Sequence, residues 1–149
     1  MPQILPLGIR YRGNVRGIIS IEHDYLTHRR GGGGKLEPNE LARKAVEIAS
    51  DRKAEDIVML DISKMSIIAD YFVICTGTGD RHVKAIAKEI DEQLGHERIN
   101  PINLEGMVEA KWVLMDYGAV IVHVFDEPTR DMYRLEELWA GAQPVLVVQ

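Results

Sequence analysis

The side chains best suited to nucleophilic or metal chemistry in residues 35–149 are one cysteine and three scattered histidines. The single cysteine, Cys75, lies inside the apolar run 71–75. We therefore expect a buried, unreactive thiol, no internal disulfide and a reducing compartment. His82, His96 and His123 lack metal-ligand spacing and have no cysteine partners, so the sequence predicts neither a metal site nor a cofactor.

Aspartates near predicted strand ends are the other candidates for catalysis. Asp61, Asp116 and Asp126 would suit two-metal chemistry if they converged. However, the sequence has no Asp-x-Asp pair that would set two carboxylates side by side on one strand face. We interpret these residues as isolated strand-end acids. His123 alternates with two valines, which predicts a histidine on the opposite face, at the sheet surface.

A glycine-containing turn follows the apolar run and precedes a helical pattern. Free amides at such a turn can bind a phosphate. Here only Gly77 and Gly79 are present, His82 stands where a third glycine would be needed, and the lysine of a P-loop is absent. Asp80 would also place a negative charge at the phosphate position. The turn therefore favours a structural interpretation, with Asp80 capping the helix.

A predicted hairpin carries apolar residues on both of its faces. Strand alternation places Trp112, Leu114 and Asp116 on one face, and the intervening residues 113, 115 and 117 on the other. The sheet is therefore either covered on both sides or open to a partner on one side. Tryptophan is favoured at interface centres, but core packing of Trp112 is an equally good interpretation.

These residues must be positioned by a layered α/β fold. Helical spacing predicts helices beginning at Glu37-Pro38, at Asp80 and at Glu127-Pro128. The last helix is expected to end at Gly141, with an apolar side formed by Met132, Leu135, Leu138 and Trp139. Strands are predicted at 56–62, 71–75, 111–117 and 119–126, with the tail 144–149 either an edge strand or free. Residues 96–109 give no clear pattern. The resulting fold class is α/β: a single layered domain with a mixed β-sheet flanked by helices.

Charge and glycine content divide the chain into two parts. Residues 1–34 end in four consecutive glycines, which indicate a flexible linker after a weakly structured extension. The net charge of −5 comprises +3 in residues 1–34 and −8 in the domain, 35–149. So acidic a domain is a poor binder of nucleic acid and better suits a basic protein surface. No apolar run reaches the length of a membrane span.

Several sequence segments, in their order and spacing, resemble those of the ribosomal silencing factor family, also called Iojap-like. The resemblance covers about residues 36–142 and is carried by Cys75–His82, Trp112–Gly118, His123 and Tyr133–Trp139. It implies a nucleotidyltransferase-like core without the catalytic acids, and hence a protein that is not an enzyme. A departure is Gly79, where a serine is commoner.

The resemblance also implies a function. Family members bind the fourteenth protein of the large ribosomal subunit and hinder joining of the small subunit, so we expect a cytoplasmic translation repressor. The sequence leaves open whether the protein forms a homodimer and whether it also acts in ribosome assembly. The expected contact residues are Lys111, Trp112, Asp116, His123 and Tyr133, with Trp112 as the anchor. The alternative is a nucleotidyltransferase-like enzyme that binds a nucleotide at the Gly77–Gly79 turn.

Overall fold

The computed structural model describes residues 3–4, 10–11 and 36–149. The strands are β1 (Gln3–Ile4), β2 (Arg10–Tyr11), β3 (Glu55–Asp61), β4 (Tyr71–Gly77), β5 (Asn103–Glu105), β6 (Trp112–Asp116), β7 (Val120–Asp126) and β8 (Gln143–Val148). The helices are α1 (Pro38–Asp51), α2 (Asp80–His96), α3 (Glu127–Tyr133) and α4 (Leu135–Leu138). Apart from the antiparallel pair β1–β2, the predicted extension and its glycine linker, 1–34, lie outside the described residues. The proposed division into 1–34 and 35–149 stays a prediction.

Six strands form one mixed sheet in the order β5-β6-β7-β4-β3-β8. Strands β4 and β7 run parallel, whereas the other neighbours in this sheet are antiparallel. Because β4 and β7 are parallel, their carboxyl ends lie at the same end of the strands, with Gly77 beside Asp126. Helices α2 and α3 begin directly after these ends. The predicted layered α/β domain with a mixed sheet is confirmed.

The two long helices cover one face of the sheet. Val83, Ile86 and Ile90 of α2 are fully buried there, as their helical spacing predicts. Cys75 lies in the same layer, and burial raises the pKa of its thiol to about 12. The prediction of an inert, buried cysteine is therefore confirmed.

The opposite face of the sheet is also covered. Phe72, Ile74, Trp112 and Leu114 project into a second apolar cluster with Leu135 and Trp139, from the segment after α3. The predicted alternation in β6 is thus correct, since Val113 and Met115 belong to the first cluster. Both apolar faces of the hairpin are explained by two covering layers.

The carboxyl-terminal third differs from the sequence prediction in two respects. The single helix expected to reach Gly141 is interrupted at Arg134, whose φ of 45° is left-handed. As a result Met132, expected on the apolar side, is 73% exposed. The tail forms an edge strand, β8, on β3, and the unassigned stretch 96–109 contains β5 at the other edge. No helix in the described part of the chain has the length and apolarity to cross a membrane.

Candidate functional site

A small surface cavity lies where β6 begins and α3 passes over it. Its volume is about 120 Å³. The lining comes from the β5–β6 loop, the start of β6 and one side of α3: Gly106, Glu109, Lys111, Trp112, Thr129, Met132 and Tyr133. We call this cavity the aromatic depression. It brings together three of the five expected contact residues, Lys111, Trp112 and Tyr133.

Trp112 forms the floor of the aromatic depression and is almost entirely buried. Only 2% of the residue is exposed. Its indole packs on Phe125 at 4.5 Å and on Tyr133 at 4.9 Å between ring centroids. Trp112 is therefore a core residue that borders the depression, and not the exposed anchor that its residue type suggested.

His123 lies beneath Trp112 and is also buried. The indole Nε1–H of Trp112 donates to His123 Nδ1 at 3.1 Å, which fixes the proton of the imidazole on Nε2. Burial lowers the pKa of His123 to about 3, so the ring is neutral. The expectation of a sheet-surface histidine is wrong because Phe72 and Trp139 cover this face. His123 can support the position of Trp112 but cannot touch a partner.

Asp116 lies at the opposite end of β6 from the aromatic depression. It is four residue steps along the strand from Trp112, a distance of roughly 13 Å. Its Oδ1 accepts from the backbone N–H of Gly118 at 2.8 Å, in the hairpin turn where Gly118 has a φ of 86°. Asp116 is 2% exposed, and the structure does not bring it to the expected contact surface. Its contacts are those of a turn residue.

The exposed side chains around the depression form the surface that a partner can reach. Met132, which lines the depression, is 73% exposed, and Val108, next to the lining residue Glu109, is 89% exposed. Glu109 and Lys111 are exposed, and Tyr133 is half-buried. We call these five residues the docking surface. Sequence reasoning missed Val108 and Glu109 because a loop gives no periodic signal, and it missed Met132 because helical spacing placed this residue on the apolar side of the last helix.

The glycine turn after β4 is shaped by packing. A Cβ on Gly77 would lie 2.8 Å from the backbone nitrogen of Val83, so only glycine lets α2 approach the strand this closely. Gly79 is different, since its φ of −175° is ordinary extended backbone and a Cβ there would meet nothing within 4 Å. Gly79, not Asp80, occupies the N-cap position. Asp80 is the first helical residue, and its Oδ1 accepts from the N–H of Arg81.

The amide that a nucleotide phosphate would need in this turn is already bonded. His82 Nδ1 accepts from the backbone N–H of Thr78 at 2.9 Å, and its Nε2 lies 2.7 Å from the carbonyl oxygen of Arg52. The imidazole thus ties the turn to the end of α1. This geometry gives no support to a nucleotide at Gly77–Gly79.

The three strand-end aspartates each have a separate local role. Asp61 accepts from Ser63, Asp116 from Gly118, and Asp126 caps α3 by accepting from the N–H of Thr129 at 2.9 Å. The interpretation as isolated strand-end acids is confirmed. Within the part of the chain that the structure describes, no three acidic, histidine or cysteine side chains are grouped to hold a metal ion.

Arg130 anchors the helix that carries the docking surface. Its Nη1 donates to the carbonyl oxygen of Asp56 and to Thr76 Oγ1, both at 2.7 Å. Its Nη2 pairs with Glu136 at 2.5 Å. The side chain is only 13% exposed, so α3 is fixed to the ends of β3 and β4. Sequence reasoning did not single out this residue, because its strand partners Asp56 and Thr76 lie 54 or more positions away.

Comparison with known proteins agrees with this fold and its spacing of residues. The family described as "ribosomal silencing factor during starvation" matches residues 35–149. The ribosomal silencing factor of Bacillus subtilis is 43% identical over 107 residues, covering 72% of this chain and 91% of that protein. Its counterpart in Halalkalibacterium halodurans is 43% identical over 110 residues, covering 74% and 94%.

Solved structures agree as well. A crystal structure of a Chromobacterium violaceum protein has a TM-score of 0.69 at 35% identity, covering 76% of this chain and 95% of that one. The sequence relatives are named as silencing factors, which are regulatory proteins and not enzymes, and the prediction that this protein is not an enzyme is confirmed. The chain belongs to the ribosomal silencing factor family.

Proposed function

We propose that this protein represses translation in the cytoplasm by binding the large ribosomal subunit and occluding the face that the small subunit must meet. The immediate partner is a basic ribosomal protein, the fourteenth of the large subunit. The observation that carries the proposal is the aromatic depression. In a member of this family, it gathers Lys111, Trp112 and Tyr133 beside two highly exposed apolar side chains.

Charge and shape support a protein partner. The domain from residue 35 onward carries a net charge of −8, which attracts a basic surface and repels a phosphate backbone. The docking surface combines exposed apolar groups with Glu109 and Lys111 at its rim, as protein interfaces do. Its floor is rigid, because the Trp112–His123 hydrogen bond and the Arg130 contacts fix β6 and α3.

A matched pair of substitutions tests this placement. Met132→Asp puts a charge on the docking surface, whereas Ile67→Asp puts the same charge on another exposed apolar residue, which precedes β4 at the opposite end of the central strands. Each variant is centrifuged with isolated large and small subunits, and joining of the two subunits is followed by light scattering.

We expect wild type and Ile67→Asp to sediment with large subunits only and to slow joining. Met132→Asp should do neither, while circular dichroism shows it folded, because the residue is 73% exposed. Binding should weaken as salt rises, since the attraction is partly electrostatic. Sedimentation of the wild type with small subunits, or equal binding by Met132→Asp, would contradict the proposal.

A further inference from the structure

The docking surface contains a methionine that is unusually open to solvent. Met132 is 73% exposed, whereas Met59 and Met115 are fully buried and Met65 and Met107 are half-buried. Among the methionines that the structure describes, Met132 is therefore the one that a dissolved oxidant reaches most easily. It also lines the aromatic depression.

We propose that Met132 is an oxidation site that controls docking: conversion of its thioether to a sulfoxide by a hydroperoxide weakens binding to the partner. This inference rests on the proposed function, because it assigns regulation to the same surface. The exposed position, the apolar lining of the depression and the chemistry of methionine carry it together.

The reaction is balanced with hydrogen peroxide as the named oxidant. The sulfur lone pair attacks one peroxide oxygen, the O–O bond breaks and an S–O bond forms. The sulfur is oxidised by two electrons, the peroxide is reduced, and the departing oxygen leaves as water after proton transfer. Methionine sulfoxide reductases reverse this change with electrons from a thiol, so the modification can act as a switch.

The sulfoxide is incompatible with the site because it replaces an apolar, flexible group with a polar oxygen. Met132 lines the depression together with the rings of Trp112 and Tyr133. A docked partner would bury the new oxygen against these apolar walls, and an unpaired buried polar group weakens association. The sulfoxide is neutral, so the salt dependence of binding should stay the same while the affinity falls.

The cysteine does not compete for the oxidant. Cys75 is fully buried in the first apolar cluster, and burial raises the pKa of its thiol to about 12. Thiolate is the form of cysteine that attacks peroxide, and almost none is present at neutral pH. Mild peroxide treatment should therefore act on exposed thioethers first.

The test measures oxygen addition and binding on the same samples. The full chain is treated with hydrogen peroxide, peptides carrying one added oxygen are quantified by mass spectrometry, and binding to isolated large subunits is measured by co-sedimentation. Met132→Leu keeps an apolar side chain that peroxide does not oxidise. Met107→Leu is the matched control, since Met107 packs against the first apolar cluster and does not line the depression.

We expect Met132 to gain oxygen ahead of Met65 and Met107. Treated wild type and treated Met107→Leu should bind about tenfold more weakly, and a methionine sulfoxide reductase should restore them. Treated Met132→Leu should bind as tightly as untreated Met132→Leu. Unchanged binding by wild type oxidised at Met132, or equal loss by treated Met132→Leu, would overturn the inference. If the untreated protein fails to bind large subunits, the proposed function is wrong, and the oxidation switch that rests on it is wrong as well.

Discussion

Replacement of Trp112 by phenylalanine separates the two roles that this residue could have. If Trp112 were an exposed anchor, its replacement would leave the free energy of unfolding unchanged and would weaken binding to the partner. The structure places Trp112 in the core, where its Nε1–H donates to His123 Nδ1 at 3.1 Å. The variant keeps an aromatic ring against Phe125 and Tyr133 but removes this donor.

The expected loss of stability follows from what remains buried. Without the indole, Nδ1 of His123 loses its donor, while Nε2 of the same ring already has no hydrogen-bond partner among the described residues. An unpaired buried group costs about 1–3 kcal/mol. The smaller ring adds about 1 kcal/mol for the space it leaves. We therefore expect Trp112→Phe to lose roughly 2–4 kcal/mol of unfolding free energy.

A double-mutant cycle identifies the hydrogen bond as the source of that loss. In Trp112→Phe/His123→Leu both polar partners are gone, so the pair should cost less than the sum of the single changes, by about 1 kcal/mol or more. Urea denaturation followed by circular dichroism supplies all four free energies. Additive losses, or a Trp112→Phe variant as stable as wild type, would refute this account of the core.

Three further predictions concern stability and are measured by the same urea titrations. Burial lowers the pKa of His123 to about 3. Between pH 6.5 and pH 3 the unfolded state therefore binds a proton at this ring and the folded state does not. The stability that His123 contributes above pH 6.5 is lost as pH falls toward 3. Wild type should lose about 1 kcal/mol more than His123→Leu between pH 7 and pH 5.5, and equal losses would contradict the burial of this ring. Gly77→Ala should cost about 1–3 kcal/mol because its Cβ meets the backbone of α2 at 2.8 Å, whereas Gly79→Ala should stay within about 0.5 kcal/mol. Asp126→Ala should cost about 1 kcal/mol as the cap of α3, and Asp80→Ala less than half of that; equal costs would restore Asp80 as a cap.

Local patterns in the sequence predicted most of the scaffold. Alternation within β6 separated Trp112 from Val113, and alternation within β7 separated His123 from its two neighbouring valines, because strand geometry alone decides this. Helical spacing did the same for α2. The burial of Cys75 could be predicted from its position within an apolar run alone. These features depend on residues that are close together in the chain, and their order can be read directly from the sequence.

The exposure of the site could not be predicted in the same way. Whether Trp112 and His123 face water or a second layer depends on Leu135 and Trp139, which return over the sheet after α3 ends. That return requires the left-handed backbone at Arg134, a conformation that an arginine seldom adopts and that no local motif announced. Three of the five expected contact residues, Trp112, Asp116 and His123, are therefore buried, and the placement of an interface at this end of the hairpin stays a proposal.

The parallel pairing of β4 with β7 has a consequence for the order of folding. Ile74 lies beside His123 in this pair, about fifty positions away in the chain, and closing such a loop costs about 3 kcal/mol of chain entropy. The hairpin, in contrast, pairs Trp112 with Phe125 through a short connection. Hairpin contacts form quickly and distant strand pairings slowly. We therefore expect the hairpin beneath the aromatic depression to form before it pairs with the central strand β4.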